Sequence, residues 1–171
     1  MTVILPVPAE ICRNCGLCCR FSDPEVLTPW TTRIGEEGNL PIPFRASRPI
    51  HLTNGTGLMG LPVWQCSALD NQGFLCSLWE GHPADCRLYP LVLVRRAGTF
   101  LLALDMDCPF SSHVPRAFFT EWASRFRDEE WSRLSEPDLR QVQSLADHED
   151  RPEYVSILSL PSTPRSFHDS A

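Results

Sequence analysis

The sequence predicts an α+β fold: a small, irregular, metal-stabilised domain with a β-hairpin and C-terminal helices. Three observations lead to this prediction. The 171 residues contain eight cysteines and are interrupted by sixteen prolines. Two apolar runs, at 91–95 and 99–105, flank a glycine in the manner of a hairpin. Aromatic residues then recur near helical spacing between residues 114 and 131.

The length of the chain fits one compact domain, which we place at residues 1–160. Its cysteine motifs span 12–109, and its helical part spans 114–147. Residues 161–171 are expected to form a flexible tail.

Short elements are expected in the proline-rich first half of the chain. A Thr-Pro pair at 28–29 supplies an N-cap and a first helical position, which predicts a helix from Trp30 to about Glu36. Residues 39–62 read as loop, with short extended segments at 50–53 and 61–65.

The hairpin is predicted from Leu91 to Arg95 and from Thr99 to Asp105. The three residues between the strands, 96–98, form its loop, and Gly98 takes the left-handed conformation there.

Two helices are predicted after the hairpin. The first runs from Val114 to Trp131, with Pro115 in its first turn and an aromatic stripe that closes over the hairpin. That stripe consists of Phe118, Trp122 and Phe126, with Phe119 on an adjoining face. The second helix runs from Pro137 to Ala146 and is started by Ser135 and Glu136.

Charge and hydropathy exclude two classes of partner. The net charge is −6, and no broad basic face of the kind that binds a phosphate backbone is present, so nucleic acid is not expected. The apolar N-terminus lacks a basic region and is broken by Pro6 and Pro8, unlike a signal peptide. No run approaches the roughly 20 apolar residues of a membrane span. We expect a cytoplasmic protein, where thiols stay reduced.

Four cysteines are concentrated near the N-terminus, as Cys12, Cys15, Cys18 and Cys19. A C-x-x-C-G sequence is typical of a metal-binding knuckle, in which Gly16 adopts a positive φ. A helical alternative would place Cys12, Cys15 and Cys19 on one face. In either geometry Cys18 and Cys19 diverge, so one of them faces a second site or remains a thiol.

The other four cysteines, Cys66, Cys76, Cys86 and Cys108, must be gathered by the fold. Two four-thiolate sites or one cluster with additional redox cysteines are both compatible with the count. Thiolates suit zinc and iron–sulfur clusters equally. A framework of four disulfides is the less favoured alternative in a reducing compartment.

The order of these motifs resembles the YkgJ-type cysteine-cluster family, also called CxxCxxCC, a family of zinc- or iron-chelating domains. The matching segments are Cys12-Arg-Asn-Cys15-Gly16-Leu-Cys18-Cys19, Cys66, Cys76-Ser-Leu-Trp-Glu, Pro83-Ala-Asp-Cys86-Arg87-Leu-Tyr89-Pro90 and Cys108-Pro109. The resemblance implies that all eight cysteines are metal ligands. A distant branch with a similar cysteine cluster, the flagellin lysine methylases, implies that iron–sulfur chemistry occurs on this scaffold.

The chain departs from the family pattern at two positions. His82 stands where an arginine is common, and Phe110 follows Cys108-Pro109 where a glycine is common. Both lie beside predicted ligands. Neither His82 nor His113 has a paired-ligand spacing, and we interpret both as loop histidines.

Three functional hypotheses follow. The first, which we favour, is an iron–sulfur protein with a redox or radical role and an unidentified redox partner or substrate. The second is a structural zinc-binding interaction module. The third is a protein that carries metal transiently and docks to a partner. No hydrolase, kinase or dinucleotide motif is present, and no residue outside the cysteines stands out as catalytic.

Overall fold

A computed structural model describes residues 7–8, 10–11, 15–21, 52–56, 62–70, 76–78, 84–145 and 154–162. The chain divides into two compact units, residues 1–90 and 91–171, which are described one at a time. The single-domain organisation remains a prediction. The predicted helix at 30–36 and the tail beyond residue 162 lie outside the described residues.

The first unit contains a three-stranded antiparallel sheet in the order β1-β3-β2. Its strands are β1 (Arg20–Phe21), β2 (Leu52–Thr56) and β3 (Pro62–Cys66). Both predicted extended segments are therefore confirmed, with their ends shifted. The interpretation of residues 54–56 as loop was wrong, because β2 continues to Thr56 along the full length of β3.

The two faces of this sheet differ in burial because successive side chains on a strand point to opposite sides. Gln65 is only 2% exposed and lies opposite Thr53 on β2 and Arg20 on β1. Its neighbour Trp64 faces the other way, is 38% exposed and lies opposite Asn54. The central strand thus buries an amide side chain on one face and exposes an indole on the other.

A short helix, α1 (Ala84–Leu88), ends the first unit and was not predicted. Five residues are too few to show helical periodicity in a sequence. Leu88 is buried at its end, and the chain then turns at Tyr89 and Pro90, which are joined by a cis peptide bond.

The second unit contains an antiparallel sheet in the order β4-β5-β6. Its strands are β4 (Leu91–Arg96), β5 (Thr99–Asp105) and β6 (Tyr154–Ser159). The predicted hairpin is confirmed as β4 and β5. The three-residue loop was wrong, because Arg96 pairs with Thr99 and leaves a two-residue turn.

The hairpin turn places both of its residues in the left-handed region. Gly98 has φ 80°, as predicted, and Ala97 has φ 49°. A two-residue turn with this geometry matches the right-handed twist of the flanking strands. An alanine is costly there because its Cβ crowds the backbone at positive φ.

Strand β6 was not predicted from the sequence. It pairs with β5 through a bulge near Leu102 and Ala103, and the Leu160 N–H donates to the Phe100 carbonyl 2.8 Å away. The bulge interrupts the regular alternation along the pair. Segment 154–159 therefore gains its partners from a strand distant in sequence.

Both predicted C-terminal helices are confirmed, as α2 (Arg116–Glu129) and α3 (Glu136–Leu145). Pro115 directly precedes α2 rather than lying in its first turn. At the start of α3, the Asp138 N–H donates to Ser135 Oγ over 3.3 Å, and the Ser135 hydroxyl donates to the Asp138 carboxylate over 2.6 Å. This reciprocal cap explains why the helix begins where it does.

The buried face of α2 differs from the predicted aromatic stripe. Phe119, Ala123 and Phe126 are buried, whereas Phe118 and Trp122 are half-buried. The residue placed on the adjoining face, Phe119, is therefore part of the core.

Trp131 is central to the core of the second unit. It is 1% exposed, its ring centroid lies 6.1 Å from that of Phe100 and 6.4 Å from that of Phe126, and its Nε1–H donates to the Pro161 carbonyl over 3.0 Å. An aromatic ring with its polar atom satisfied contributes a large apolar area without a desolvation penalty. It joins β5, α2 and the segment after β6.

The α+β fold class is confirmed by these two small antiparallel sheets and the helices. Across the described ranges, no helix combines the length and the apolar character needed to cross a bilayer.

Replacing Gly55 with alanine should destabilise the first unit. A Cβ at this position would collide with Gln65 Oε1 and lie 2.7 Å from Gln65 Cγ. Because Gln65 is buried, its side chain cannot swing into solvent, and we expect a loss of about 1–3 kcal/mol in urea unfolding. Asn54→Ala, on the exposed face of the same strand, is the matched control and should change stability by less than about 0.5 kcal/mol.

The double variant Gly55→Ala/Gln65→Ala isolates the contact, since removing the amide leaves room for the new methyl group. The double variant should lose less unfolding free energy than the two single variants lose together. Strict additivity would contradict the close approach of Gln65 to Gly55.

Replacing Ala97 with asparagine should stabilise the second unit, because asparagine tolerates the left-handed conformation better than alanine. We expect a gain of about 0.5–1 kcal/mol, measured as a higher melting temperature. Gly98→Ala should act in the opposite direction. No atom lies within 4 Å of a Cβ placed at position 98, so the loss of stability in Gly98→Ala would come from the strained backbone alone. A destabilised Ala97→Asn variant would contradict the turn geometry.

Candidate metal centre

Seven of the eight predicted ligands lie within the described residues, and Cys12 and His82 lie outside them. The seven are thiols in the structure, none of them in a disulfide. Cys108 is 8% exposed, and the others are half-buried. Such partial burial suits a metal site, since it removes bulk water while leaving the sulfurs accessible during assembly.

Gly16 shapes the N-terminal motif. Cys15 has helical backbone, Gly16 then adopts φ 59° and ψ 10°, and a 3₁₀ helix follows at Leu17–Cys19. The predicted positive φ is thus confirmed. The helical alternative was wrong, because the left-handed Gly16 interrupts any continuous face between Cys15 and Cys19.

The carbonyl of Gly16 holds this turn together by accepting two hydrogen bonds. The Cys19 N–H donates to it over 3.3 Å, and the Arg20 guanidinium donates from Nη1 over 3.2 Å. Arg20 therefore ties its own strand back to the turn that carries Cys18 and Cys19. Its guanidinium is thereby held at the carbonyl of the residue that separates Cys15 from the 3₁₀ helix.

Pairing of β1 with β3 brings the N-terminal motif to the second group of cysteines. Arg20 is opposite Gln65, and Phe21 is opposite Trp64. In an antiparallel ladder, the residue before Arg20 adjoins the residue after Gln65. Cys19, at the end of the 3₁₀ helix, and Cys66, at the end of β3, are therefore the residues directly beyond this end of the ladder, although they come from separate parts of the chain.

A tight turn after β3 directs a backbone donor at the Cys66 sulfur. The Ala68 N–H donates to Cys66 Sγ over 3.4 Å, and the Leu69 N–H donates to the Cys66 carbonyl over 3.0 Å. N–H groups in turns of this kind stabilise the negative charge of a metal-bound thiolate. This geometry provides one of the features expected of a metal-binding knuckle at Cys66.

The segment around Cys76 is fastened to the same turn. The backbone of Cys76 forms an isolated antiparallel β-bridge with that of Leu69. Ser77 donates to the Ala68 carbonyl from both its N–H and its hydroxyl, each over 2.8 Å. Cys66 and Cys76 both pack against a small buried cluster of Ala68 and Leu78. Two predicted ligands thus share one local framework.

The two remaining ligands occupy different elements. Cys86 lies in the middle of α1, in the first unit, and Cys108 follows β5, in the second. Phe110 packs edge-on against Phe118 and Phe119, with centroids 6.3 Å and 6.1 Å away. Phe110, which stands where a glycine is common, therefore anchors the turn after Cys108 to α2.

His113 is an exposed loop histidine, as interpreted from the sequence. Its Nδ1 lies 2.7 Å from the Pro109 carbonyl and 3.0 Å from Ser112 Oγ. The ring therefore stabilises the turn after Cys108.

The thiol side chains of the predicted ligands fit a thiophilic metal. Within the ranges that the structure covers, no three cysteine, histidine or acidic side chains come close enough to hold one ion. What these ranges contain is the pairing of Arg20 with Gln65, which adjoin Cys19 and Cys66 in the chain, the shared cluster that Cys66 and Cys76 pack against, and an N–H donor at the Cys66 sulfur. A complete site requires further donors, for which Cys12 is a predicted source.

Sequence reasoning found the cysteines but missed their supporting residues. The bracing role of Arg20 and the N–H donor at Ala68 had no sequence signal, because both depend on strand register and turn geometry. The buried Ser111, close to Cys108 in sequence, was also missed.

Comparison with known proteins identifies the cysteine region. The model of the family CxxCxxCC, described as "Putative zinc- or iron-chelating domain", matches residues 11–109, more than half of the chain. This range contains all eight cysteines. No curated protein and no solved structure matches the chain.

The strand register predicts a specific disulfide in the metal-free protein. Arg20 and Gln65 are directly opposed, and such residues have Cα atoms about 4.5–5.5 Å apart, so we expect Cys19 and Cys66, one position beyond them, to come within the range that a disulfide spans. Treatment with diamide, which removes two electrons and two protons from a pair of thiols, should join Cys19 to Cys66. Peptide mapping by mass spectrometry would identify the bond.

The neighbouring cysteine provides the control. Cys18→Ser should leave the Cys19–Cys66 disulfide in place, whereas Cys19→Ser should abolish it. A dominant disulfide from Cys18 to Cys66 would show that the register does not extend beyond Arg20.

Proposed function

Because the chain belongs to the CxxCxxCC family of zinc- or iron-chelating domains, we propose that it holds an iron–sulfur cluster through cysteine thiolates and serves a redox or radical role. The observation that carries the proposal is the Ala68 N–H directed at the Cys66 sulfur, at the end of the strand that pairs with β1. A neutral thiol accepts hydrogen bonds weakly, whereas a metal-bound thiolate accepts them strongly.

Ligand type favours iron and sulfide over an oxygen-loving cation. The predicted ligands are all thiolates, and their number exceeds the four that one cluster requires. When bound, such a cluster exchanges single electrons. The chain supplies the thiolates that hold it and the N–H donors that stabilise the charge of those thiolates.

Arg20 has an electrostatic part in this proposal. Its guanidinium is fixed at the Gly16 carbonyl, beside Cys18 and Cys19. A cation close to a thiolate cluster stabilises its negative charge and hence its reduced form, which carries one more electron. Arg20 would therefore raise the reduction potential as well as brace the turn.

The partner of this redox function would be a protein or small molecule of the cytoplasm rather than nucleic acid. The net charge of −6 opposes a phosphate backbone and favours partners with a basic face. Burial of the sulfurs does not prevent electron exchange, which needs proximity rather than contact. A docked partner is therefore sufficient.

Anaerobic purification followed by elemental analysis tests the proposal. We expect about four iron and four acid-labile sulfide per chain, with a brown absorption band that dithionite bleaches. Zinc alone, without a visible band, would instead assign the chain a structural zinc site. Four disulfides and no metal would refute metal binding in both forms.

Substitution of single ligands should separate metal binding from general stability. Cys15→Ser and Cys86→Ser should each lower both metal content and melting temperature, because the free energy of thiolate binding contributes to folding. Asn54→Ala, an exposed position in the same unit, should leave both unchanged. Full metal content and unchanged melting in both serine variants would remove these cysteines from the ligand set.

A further inference from the structure

Ser111 carries a buried hydroxyl without a hydrogen-bond partner among the described residues. The residue is 4% exposed, and its Oγ is fully shielded from solvent. Burying a hydroxyl in this way costs about 1–3 kcal/mol relative to a satisfied one. Most buried polar groups have a partner, so this atom requires an explanation.

The position of Ser111 relates it directly to a predicted ligand. Its N–H donates to the Cys108 carbonyl over 2.9 Å and closes a turn from 108 to 111. The first and fourth residues of such a turn have Cα atoms less than about 7 Å apart. Cys108 is itself 8% exposed, so both ends of this turn are buried.

The neighbouring polar groups are satisfied within the turn. The Ser112 hydroxyl donates to the Pro109 carbonyl over 3.0 Å, and the His113 N–H donates to the Phe110 carbonyl over 3.2 Å. Ser112 and His113 are also exposed, and water reaches them. Ser111 differs from Ser112 in both burial and bonding, although they are adjacent and chemically identical.

We propose that the Ser111 hydroxyl donates an O–H···S hydrogen bond to the Cys108 thiolate when Cys108 ligates metal. A neutral thiol is a weak acceptor, whereas a thiolate accepts a charge-assisted bond, which is strong in a region of low dielectric constant. Ser111 is thus a positioning residue, which orients the ligand and stabilises its charge. The proposal rests on the proposed function, since it requires a metal at Cys108.

The test compares Ser111→Ala with the matched control Ser112→Ala, in both metal-loaded and metal-free protein. Ser111→Ala should lower metal affinity about tenfold in chelator competition, which is the usual scale for such supporting residues. In metal-free protein the same substitution should raise the melting temperature, because it removes an unsatisfied buried hydroxyl. Ser112→Ala should change neither quantity. A merely structural role for Ser111 would not lower metal affinity while raising the melting temperature of the metal-free protein.

A second measurement applies when the metal is an iron–sulfur cluster. Donation to a thiolate favours the reduced state, so Ser111→Ala should lower the reduction potential. A tenfold shift in the one-electron equilibrium corresponds to about 59 mV. Protein-film voltammetry of the wild type and both variants would measure it.

The outcomes separate this inference from the proposed function. If Cys108→Ser retains wild-type metal affinity, Cys108 is not a ligand and the inference fails, while the remaining cysteines still test the function. If wild-type protein binds no metal, the proposed function itself fails. If Cys108→Ser loses metal but Ser111→Ala keeps wild-type affinity and potential, the inference alone is overturned. The inference is also overturned if Ser111→Ala raises the melting temperature of metal-loaded and metal-free protein by the same amount.

Discussion

The antiparallel pairing of β1 with β3 is the contact on which the candidate site depends. Among the described residues it involves Arg20 and Phe21 on one side, yet it brings the turn that carries Cys19 to the strand that ends at Cys66, across a long stretch of intervening chain. Closing such a loop costs conformational entropy, and two residues of ladder offset little of it. A metal that joined cysteines from both sides would add a cross-link to this short ladder.

Features at both ends of this pairing assist it. The left-handed Gly16 turns the chain sharply enough for Cys19 to precede a strand, and Arg20 fastens that strand to the Gly16 carbonyl. On the other side, the turn after Cys66 presents the Ala68 N–H to the sulfur and holds the Cys76 segment. Local backbone geometry thus provides donors, while the side chains provide thiolates.

The two units are stabilised in different ways. The second has an apolar core in which Trp131, Phe100 and Phe126 pack together beneath hydrogen-bonded strands. In the described part of the first, the cluster of Ala68 and Leu78 is extended by Cys66 and Cys76 themselves. If these predicted ligands hold the metal, its loss removes binding energy from residues that also form part of the core. We therefore place metal dependence of folding chiefly in the first unit.

The sequence by itself determined the elements whose signals are local. The hairpin, both C-terminal helices, the positive φ of Gly16 and the membership of the cysteine family follow from spacing, capping residues and motif order. These features depend on neighbours a few positions away, which a sequence displays directly.

Only the tertiary structure decided which distant residues meet. Strand β6, the pairing of Arg20 with Gln65, the left-handed Ala97 and the burial of Ser111 have no local signal. Pairing partners depend on register, and a shift of one residue would exchange the two faces of a strand. Burial depends on what packs above a residue, which is why Ser111 and Ser112 look alike in sequence but differ in the fold.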